Sequence, residues 1–344
     1  MAVKAEYGDW RVTVDEKEVA WVWFDKKDSR VNTLNSYNLE YFEDLLTDLN
    51  TAKVKAMVLQ SAKDSGFIAG ADIRLFTMAT ENPEGVQALI EMGQRIFMRL
   101  EQAPFFTLAV IDGFCVGGGL ELALACKARI AVNSEKTRLG LPEVTLGVVP
   151  GWGGSVRLAR RIGCWEALKM IVSGKPVDAK RAVGLGLVNV AVEKRHVAAA
   201  IESMLIKQPV LKPSLWWSWV WRFSWVRAAV LFVMAQSLSK KIKPVHYPAP
   251  FQVIENWKKT DVLTGHQAYR DEVQAFMRLV SSETAQNLVR IFFLQERFKS
   301  TKGNKAGHAD AIHVHVIGAG RMGGDIAAWL SFKGSKVTIS DENP

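Results

Sequence analysis

The sequence predicts an α/β fold, because short buried strands alternate with helices through its first two hundred residues. Residues 56–60 and 107–111 are apolar runs of strand length, and amphipathic helical patterns follow them. Residues Trp10–Val14 and Val19–Phe24 alternate like the two strands of a hairpin. The alternation of strands and helices ends near Lys207, which predicts an α/β domain over residues 1–207.

The other elements of this domain follow from the same patterns. Ser36 is expected to cap a helix that runs to about Thr51, and residues 65–72 read as a glycine-broken loop. Pro83 is expected to begin a longer helix. Helical patterns and apolar strand patterns then continue, with helices at 83–101, 119–126, 153–162, 165–172, 179–184 and 196–207, and strands at 129–132 and 188–192.

The composition of the sequence changes after Pro209. We divide the remainder into a helical linker region, 208–305, and the incomplete start of a nucleotide-binding domain, 306–344. Residues 216–235 are aromatic and aliphatic, and 246–251 (HYPAPF) read as a proline-punctuated turn or extended piece. Further stretches are expected as a helical region at 264–298, a polar linker at 299–305 and an apolar strand at 312–317.

Composition bounds the class of protein. The 344 residues are 49% apolar and 23% charged, which fits a soluble globular chain of one or two domains. The three cysteines have neither metal-ligand nor redox spacing and read as reduced buried thiols. The N-terminus lacks a secretory or transit pattern. We therefore expect a cytoplasmic protein without a metal site.

A basic, tryptophan-dense segment lies in the second half. Nine Lys or Arg and only one acidic residue, Glu255, fall within 205–260, together with six of the twelve tryptophans. The favoured interpretation is a helix packed in a groove of the protein. The alternative is peripheral membrane contact through 214–235, since interfacial helices use these residue types. Nucleic-acid binding is the least favoured, because no recognition fold accompanies the segment.

Two glycine-dense turns suggest a reactive site. They are residues 116–119 and 151–154, and the acids Glu121 and Glu143 lie beside them in apolar surroundings. A similar turn, 65–73, is expected to present backbone N–H groups at a helix start. Each turn alone is explained by close packing. Together they predict two amides able to hold an oxyanion, beside carboxyl groups whose pKa burial would raise.

These motifs resemble the crotonase (enoyl-CoA hydratase) superfamily over roughly residues 10–205; the motifs are IAGADI, VGGGLELALAC and LPEVTLGVVPGWGG. The resemblance implies a crotonase-type ββα spiral and a coenzyme A thioester substrate. It also implies that Ala71 and Gly118 donate the oxyanion-hole N–H groups and that Glu121 and Glu143 are the catalytic acids. The adjoining substrate loops would comprise Ala69, Gly70, Asp72 and Gly117. A departure from many relatives is Lys127, which stands where they carry an acidic residue.

The resemblance implies syn addition of water to a trans-2-enoyl-CoA. Its glutamates would hold the water, one taking a proton and the other supplying one at C2. The family usually assigns the base role to the counterpart of Glu121 and the acid role to that of Glu143, and the sequence leaves this division open. Two alternatives stay open as well: a Δ3-Δ2-enoyl-CoA isomerase on the same fold, and a non-catalytic module that docks on thiolase or membrane.

A second nucleotide motif stands near the end of the chain. Gly318, Gly320 and Gly323 form G-x-G-x-x-G between a strand pattern and a helical pattern, and Asp341 ends the next strand pattern. This spacing predicts the start of a Rossmann fold, with Met322 in the turn and Asp341 favouring NAD over NADP.

The order of hydratase, helical linker and Rossmann start resembles the multifunctional α-subunits of fatty-acid oxidation complexes. In those proteins the same chain hydrates an enoyl-CoA and oxidises the product with NAD, beside a thiolase β-subunit. This chain ends after the first β-α-β, so we expect its dehydrogenase part to be cut short. The complete active site is expected to be the hydratase of fatty acid β-oxidation.

Overall fold

The computed structural model describes residues 3–209, 221, 223–263, 265–301 and 313–342. The chain divides into two compact units, Met1–Arg290 and Ile291–Pro344. Each is described by itself below.

The first unit is built on two β-sheets. Its strands in chain order are β1 (Glu6–Tyr7), β2 (Trp10–Val14), β3 (Val19–Phe24), β4 (Ala56–Ser61), β5 (Gly66–Ile68), β6 (Phe106–Ile111), β7 (Phe114–Val116), β8 (Ala128–Val132), β9 (Arg138–Gly140) and β10 (Val190–Val192). The larger sheet has the order β1-β2-β3-β4-β6-β8-β10 and the smaller one β5-β7-β9. The pairs β1–β2 and β2–β3 are antiparallel, and all other pairs in both sheets are parallel.

Helices connect and cover these strands. They are α1 (Ser36–Thr51), α2 (Arg74–Thr77), α3 (Pro83–Glu101), α4 (Gly118–Ala125), α5 (Gly154–Ile162), α6 (Cys164–Ser173), α7 (Ala179–Gly184), α8 (Val197–Lys207), α9 (Ser224–Ser239), α10 (Pro248–Lys259), α11 (Gln267–Val280) and α12 (Glu283–Thr301), with 3-10 turns at Glu143–Leu146 and Lys194–His196. The last of these helices, α12, crosses the boundary between the two units.

The chain repeats a two-strand step. In each of β4–β5, β6–β7 and β8–β9, the first strand enters the larger sheet and the second enters the smaller sheet, and a helical segment follows. This arrangement confirms the predicted α/β fold of the crotonase type with its ββα spiral. It also stacks the three short strands side by side, so their carboxyl ends open toward the same edge.

One face of the larger sheet packs against α8. Alternating residues of β4, β6 and β8 supply this layer, and Ile201 of α8 is buried against them. All six residues of β6 are buried, so both faces of this strand are covered. This explains why the β6 sequence is a nearly continuous apolar run and does not alternate between apolar and polar residues.

The sequence patterns located most elements to within two residues, with corrections at α1, at β1, in the smaller sheet and at α10. The N-cap of α1 is Asn35 rather than Ser36, because Asn35 and Asn38 form a reciprocal capping box through side chain and backbone. The loop predicted at 65–72 contains β5. The strands β1, β7 and β9 were not predicted at all, because strands of two or three residues carry no readable period.

The helices after residue 220 complete the first unit. The stretch HYPAPF is not a turn or extended piece: α10 begins at Pro248, whose fixed φ and missing N–H suit the first helical position. The aromatic positions 216–220 and Arg222 lie outside the described residues. Of the linker predicted at 299–305, residues 302–305 also lie outside the described residues. Helix α12 continues to Thr301, so the first part of this predicted linker is helical. Among the helices that are described, none is long and apolar enough to cross a membrane.

The second unit contains one β-α-β element. Strand β11 (His313–Ile317) pairs in parallel with β12 (Lys336–Ser340), and α13 (Arg321–Phe332) connects them. The turn between β11 and α13 carries Gly318, whose φ of +102° favours glycine. A side chain at Gly323 would lie 1.7 Å from the carbonyl oxygen of Gly318, so the tight turn requires this glycine too.

Candidate active site

Three segments of the predicted site follow the three strands of the smaller sheet. The loop of Ala69–Asp72 follows β5, the turn of Gly117 and Gly118 follows β7, and Glu143 follows β9. Because parallel strands present their carboxyl ends at one edge, the sheet brings these segments together although up to 75 residues separate them in the sequence.

The amides of Ala71 and Gly118 are close to each other and free. A Cβ atom built on Gly118 would lie 3.5 Å from the Ala71 nitrogen. Neither amide donates a hydrogen bond to any group in the part of the chain that the structure describes. The backbone groups on either side of Ala71 are hydrogen-bonded: the carbonyl of Gly70 accepts from the amide of Leu34, and the amide of Asp72 donates to the carbonyl of Leu34. Two adjacent unpaired donors form the kind of site that stabilises an oxyanion.

The Ala71 loop is fixed by a charge cluster. Asp72 accepts hydrogen bonds from Arg74 and from Lys26, whose Nζ lies 3.2 Å from Oδ2. Hydrogen bonding from Arg74, with a further contribution from Lys26, lowers the pKa of Asp72 to about 2. The amide of Ala69 bonds to the carbonyl of Asn32. These contacts hold the loop in one conformation and leave the Ala71 amide exposed to a ligand.

The turn before α4 can be built only from small residues. Gly117 has a φ of +53°, and its own built Cβ atom would stand 3.2 Å from Oε1 of Glu143. A Cβ atom on Gly118 would stand 2.3 Å from Cζ3 of Trp152. Trp152 is buried and packs edge-on against Phe97, with ring centroids 5.7 Å apart. The glycines therefore allow the Trp152 ring and the Glu143 carboxyl to approach the oxyanion turn.

Glu121 lies in the first turn of α4 and is buried. Its Oε1 accepts hydrogen bonds from the amides of Trp152 and Gly154, both at 2.8 Å. No group among the described residues donates to its Oε2. One carboxyl oxygen is thus held by the start of α5, and the other is free to contact a ligand.

Glu143 is placed differently. Both of its carboxyl oxygens are buried, and neither has a hydrogen-bond partner among the described residues. A buried carboxyl group without partners strongly disfavours the charged form. An orphaned pair of oxygens beside the Gly117 turn also requires a partner from outside the chain, such as a water molecule or substrate.

The pKa values reflect these surroundings. Burial raises the pKa of Glu143 to about 8, and the charge of Glu272 adds to the increase. Burial also raises the pKa of Glu121 well above its usual value, as do the charges of Glu143 and Glu272, whereas its two amide hydrogen bonds oppose the increase. Burial dominates at both carboxyl groups; the amides of Trp152 and Gly154 oppose the pKa increase at Glu121, and the backbone amide of Glu143 itself opposes the increase at Glu143.

A third buried carboxylate adjoins the same loop and was missed by sequence reasoning. Glu272 of α11 accepts hydrogen bonds from the amides of Gly153, at 2.5 Å, and of Ser155, at 3.0 Å, and from the Ser155 hydroxyl. It lies 129 positions beyond Glu143 in an ordinary amphipathic helix. Its only sequence signal is a charge at a position whose neighbours predict burial.

Lys127 stands where many relatives carry an acidic residue, and its contacts explain how a lysine is accommodated there. Its Nζ donates to the carbonyl oxygens of Ala103 and Phe105, both at 2.8 Å. A cation that binds two backbone carbonyls needs no acidic partner, so the residue ties the end of α3 to the start of β8.

A separate cavity of about 680 Å³ lies beside α8, on the face of the larger sheet that α8 covers. Its apolar floor includes Trp21 and Ile201, and lysines and carboxylates share its rim. It contains none of the residues predicted for the site. The predicted site residues therefore lie at the carboxyl edge of the smaller sheet and not in this cavity.

The glycine turn of the second unit has the features of a dinucleotide cradle. Asp341 follows β12 and accepts a hydrogen bond from the amide of Ala319, which places its carboxylate beside the turn. Side chains built on Gly318 and Gly320 would meet no neighbouring atom within 4 Å, so a phosphate group has room to approach the backbone. Met322 is exposed in the first turn of α13.

Comparison with known proteins identifies the family. A family model described as Enoyl-CoA hydratase/isomerase matches residues 15–209, more than half of the chain. The chain belongs to the enoyl-CoA hydratase/isomerase family. The matched span contains every residue predicted for the oxyanion hole and both predicted catalytic glutamates.

Relatives extend the likeness beyond that domain. A fatty acid oxidation complex subunit alpha of Aliivibrio fischeri is 36% identical over 337 residues, which cover 96% of this family member and 48% of the relative. The predicted resemblance to such α-subunits is confirmed. The chain spans about half the length of this relative.

Solved structures share the fold. An enoyl-CoA hydratase from Bacillus anthracis is 26% identical with a TM-score of 0.52, covering 85% of this chain and 96% of its own. A carnitinyl-CoA dehydratase from Mycobacterium thermoresistibile is 18% identical with a TM-score of 0.65, covering 88% of this chain and 94% of its own. The second likeness concerns the fold alone.

The packing of Gly118 predicts a defined stability defect. Gly118→Ala places a methyl group against the buried Trp152 ring, so we expect the free energy of unfolding to fall by about 1–3 kcal/mol in urea titrations. The matched control is Gly184→Ala, also in a helix but with nothing within 4 Å of the added carbon. It is expected to change stability by less than about 1 kcal/mol. Equal stability of the two variants would show that Trp152 does not pack as described.

Proposed function

We propose that this chain adds water to trans-2-enoyl-CoA thioesters and forms 3-hydroxyacyl-CoA in fatty acid β-oxidation. One observation carries the proposal: two unpaired amides, of Ala71 and Gly118, lie next to two buried carboxyl groups on one sheet edge. Family membership and the similarity to α-subunits of fatty acid oxidation complexes support the same activity.

The amides would act on the thioester. When water attacks C3, negative charge develops on the thioester oxygen, and the N–H groups of Ala71 and Gly118 stabilise it. Removing one such donor typically costs about 3–4 kcal/mol of transition-state stabilisation. The loops around Ala69, Gly70 and Gly117 would seat the thioester, because their backbone leaves room that side chains would fill.

The glutamates would divide the proton transfer. The Glu121 carboxylate, supported by the amides of Trp152 and Gly154, takes the proton of the attacking water. Glu143, protonated near neutral pH, delivers a proton to C2. The proposed assignment rests on the two amides of the α5 start that bind Glu121, whereas neither Glu143 oxygen has a hydrogen-bond partner among the described residues.

Loss of either acid should stop hydration. For Glu121→Gln and Glu143→Gln we expect kcat for crotonyl-CoA to fall by about 10²–10⁴, the usual contribution of a general acid or base. The loss of enoyl-thioester absorbance measures the reaction. Glu135→Gln, which removes an exposed carboxylate of the same domain, is the control and should keep full activity. Retention of full kcat in both site variants would refute the assigned roles.

The same variants separate hydration from isomerisation. A proton shuttle between C2 and C4 needs one strong base, whereas hydration needs both acids. A Glu121→Gln enzyme that still converts 3-enoyl-CoA to 2-enoyl-CoA at the wild-type rate would favour the isomerase. A folded wild-type chain that converts neither substrate would favour a non-catalytic docking module.

The raised pKa of Glu143 predicts a high alkaline limit. A group whose pKa is raised to about 8 keeps its proton below that pH and loses it above. The rate of hydration, measured as kcat/KM between pH 6 and 10, should therefore decline only as the pH rises through about 8. The limit belongs to the interacting pair rather than to one group. A decline already complete at pH 6 would contradict a buried, unpartnered Glu143.

We further propose that the second unit begins an NAD-binding 3-hydroxyacyl-CoA dehydrogenase domain. The residues present fit the dinucleotide: the turn of Gly318 and Gly320 would hold the pyrophosphate, and Asp341 the ribose hydroxyls. When bound, NAD would accept a hydride from the 3-hydroxyacyl product. A longer chain with the complete domain should bind NAD more tightly than NADP. Equal affinities, unchanged by Asp341→Ala, would oppose the assignment.

Partners are proposed on two grounds. The name of the Aliivibrio fischeri relative places it in a complex, and by resemblance the partner here is a thiolase β-subunit, testable by copurification from the native host. The other partner is the membrane surface. Helix α9 buries Leu231 and exposes Trp225, Phe232 and Val233, which are 72%, 62% and 56% exposed.

Basic residues follow this exposed apolar face. Lys240, Lys241 and Lys243 are exposed just beyond the end of α9, and this combination suits an anionic lipid surface. We expect the chain to sediment with phosphatidylserine vesicles at low salt and to be released at high salt. A Trp225→Ser, Phe232→Ser double variant should remain in solution. Failure of the wild-type chain to sediment with the vesicles would contradict the proposed membrane contact.

A further inference from the structure

The loop from Gly151 to Ser155 is held on both sides by buried carboxylates. Its amides alternate between them: those of Trp152 and Gly154 bond to Glu121, and those of Gly153 and Ser155 bond to Glu272. The loop opens α5, so four successive N–H groups at one helix start point at two carboxyl groups. Such groups concentrate the positive end of the helix dipole.

Glu272 is the less expected of the two. It is 2% exposed, and it lies on α11, beyond the residues that the family model matches. Nothing in the proposed reaction uses it directly. Glu272 binds the amides of Gly153 and Ser155, which alternate along the chain with the two amides that bind Glu121. The position of Glu272 therefore influences the direction of the Trp152 and Gly154 amides.

We propose that Glu272 is a positioning residue of the hydration site: it fixes the loop that holds Glu121. This inference rests on the proposed hydratase function. It also implies that the active site extends past the family-matched domain into the helical region of the first unit.

Other buried polar groups complete the frame around Glu272. Gln94 donates to the carbonyls of Gly151 and Tyr269, at 2.9 and 3.1 Å. Arg157 donates to the carbonyl of Trp152 at 2.6 Å and lies over the Tyr269 ring. These contacts satisfy the carbonyls of the loop, while the two carboxylates satisfy its amides. The loop therefore has few alternative conformations as long as Glu272 is present.

The charges facing Glu272 determine the sign of its electrostatic effect. The carboxyl groups of Glu121 and Glu143 are its acidic neighbours, Arg157 is a positive one, and Tyr269 lies on the same helix. Burial raises the pKa of Glu272 itself to about 7, and above that pH its negative charge makes ionisation of the other two glutamates harder. Its removal should therefore lower their pKa values, so that the site loses its proton at a lower pH.

The test compares Glu272→Gln with the wild-type chain in crotonyl-CoA hydration over the pH range. We expect kcat to fall about 10- to 100-fold, because a displaced loop misplaces the base. KM should stay within about twofold, since Glu272 does not contact the thioester loops. The alkaline limit should move down by roughly one pH unit. The matched control is Asp271→Asn on the same helix, whose carboxylate bonds to Thr260 and Gln267, and it should change none of these quantities.

Two results would overturn the proposal. One is a folded Glu272→Gln enzyme with wild-type kcat and alkaline limit. The other is a variant with a lower melting temperature and lower kcat but an unmoved alkaline limit, which is what a purely structural role produces. A wild-type chain that does not hydrate crotonyl-CoA would instead refute the proposed function, so the two failures are distinguishable.

A second variant covers the case in which Glu272→Gln does not fold. Ser155→Ala removes the hydroxyl contact to Glu272 but leaves every charge in place. It should lower kcat several-fold with KM and the alkaline limit unchanged. Wild-type kcat in this variant would mean that the tie between Glu272 and the loop does not position the base, and the proposal would fall.

Discussion

The structure of the site depends on one interaction, the binding of the α5 N-terminus by buried carboxylates. A carboxylate in an apolar interior is unstable unless donors surround it. The helix start supplies four amides, and Glu121 and Glu272 take two each. Glu143 receives none of these four amides, and neither of its carboxyl oxygens has a hydrogen-bond partner among the described residues. Burial raises the pKa of both Glu121 and Glu143, so the two side chains differ in their donors and share an apolar environment.

The smaller sheet supplies the second constraint. Its parallel strands β5, β7 and β9 align three chain segments at one edge, and each segment carries one part of the proposed site: the Ala71 amide, the Gly118 amide with Glu121, and Glu143. The strands are only three residues long, so their main effect is to align the loops that follow them and not to stabilise the fold. The larger sheet and its helices provide the buried core that holds this register.

Much of this could be predicted from the sequence. Apolar periodicity located the strands of the larger sheet except β1, together with most helices, and the motifs around Ala71, Gly118, Glu121 and Glu143 identified residues that the fold brings to one edge. The short strands β7 and β9 could not be predicted, because three residues define no period. Glu272 was missed for another reason: its partners lie 117 and 119 residues away, and a local pattern cannot show a contact of that range. The roles of all these residues remain predictions.

A crystal structure of Glu121→Gln with a bound 3-hydroxyacyl-CoA tests the central claim most directly. The account predicts that the thioester oxygen accepts hydrogen bonds from both the Ala71 and Gly118 amides, with N···O distances of about 3 Å. It also predicts that the 3-hydroxyl group lies between residue 121 and Glu143. A product bound elsewhere, for example in the cavity beside α8, or with its carbonyl away from the two amides, would contradict the account.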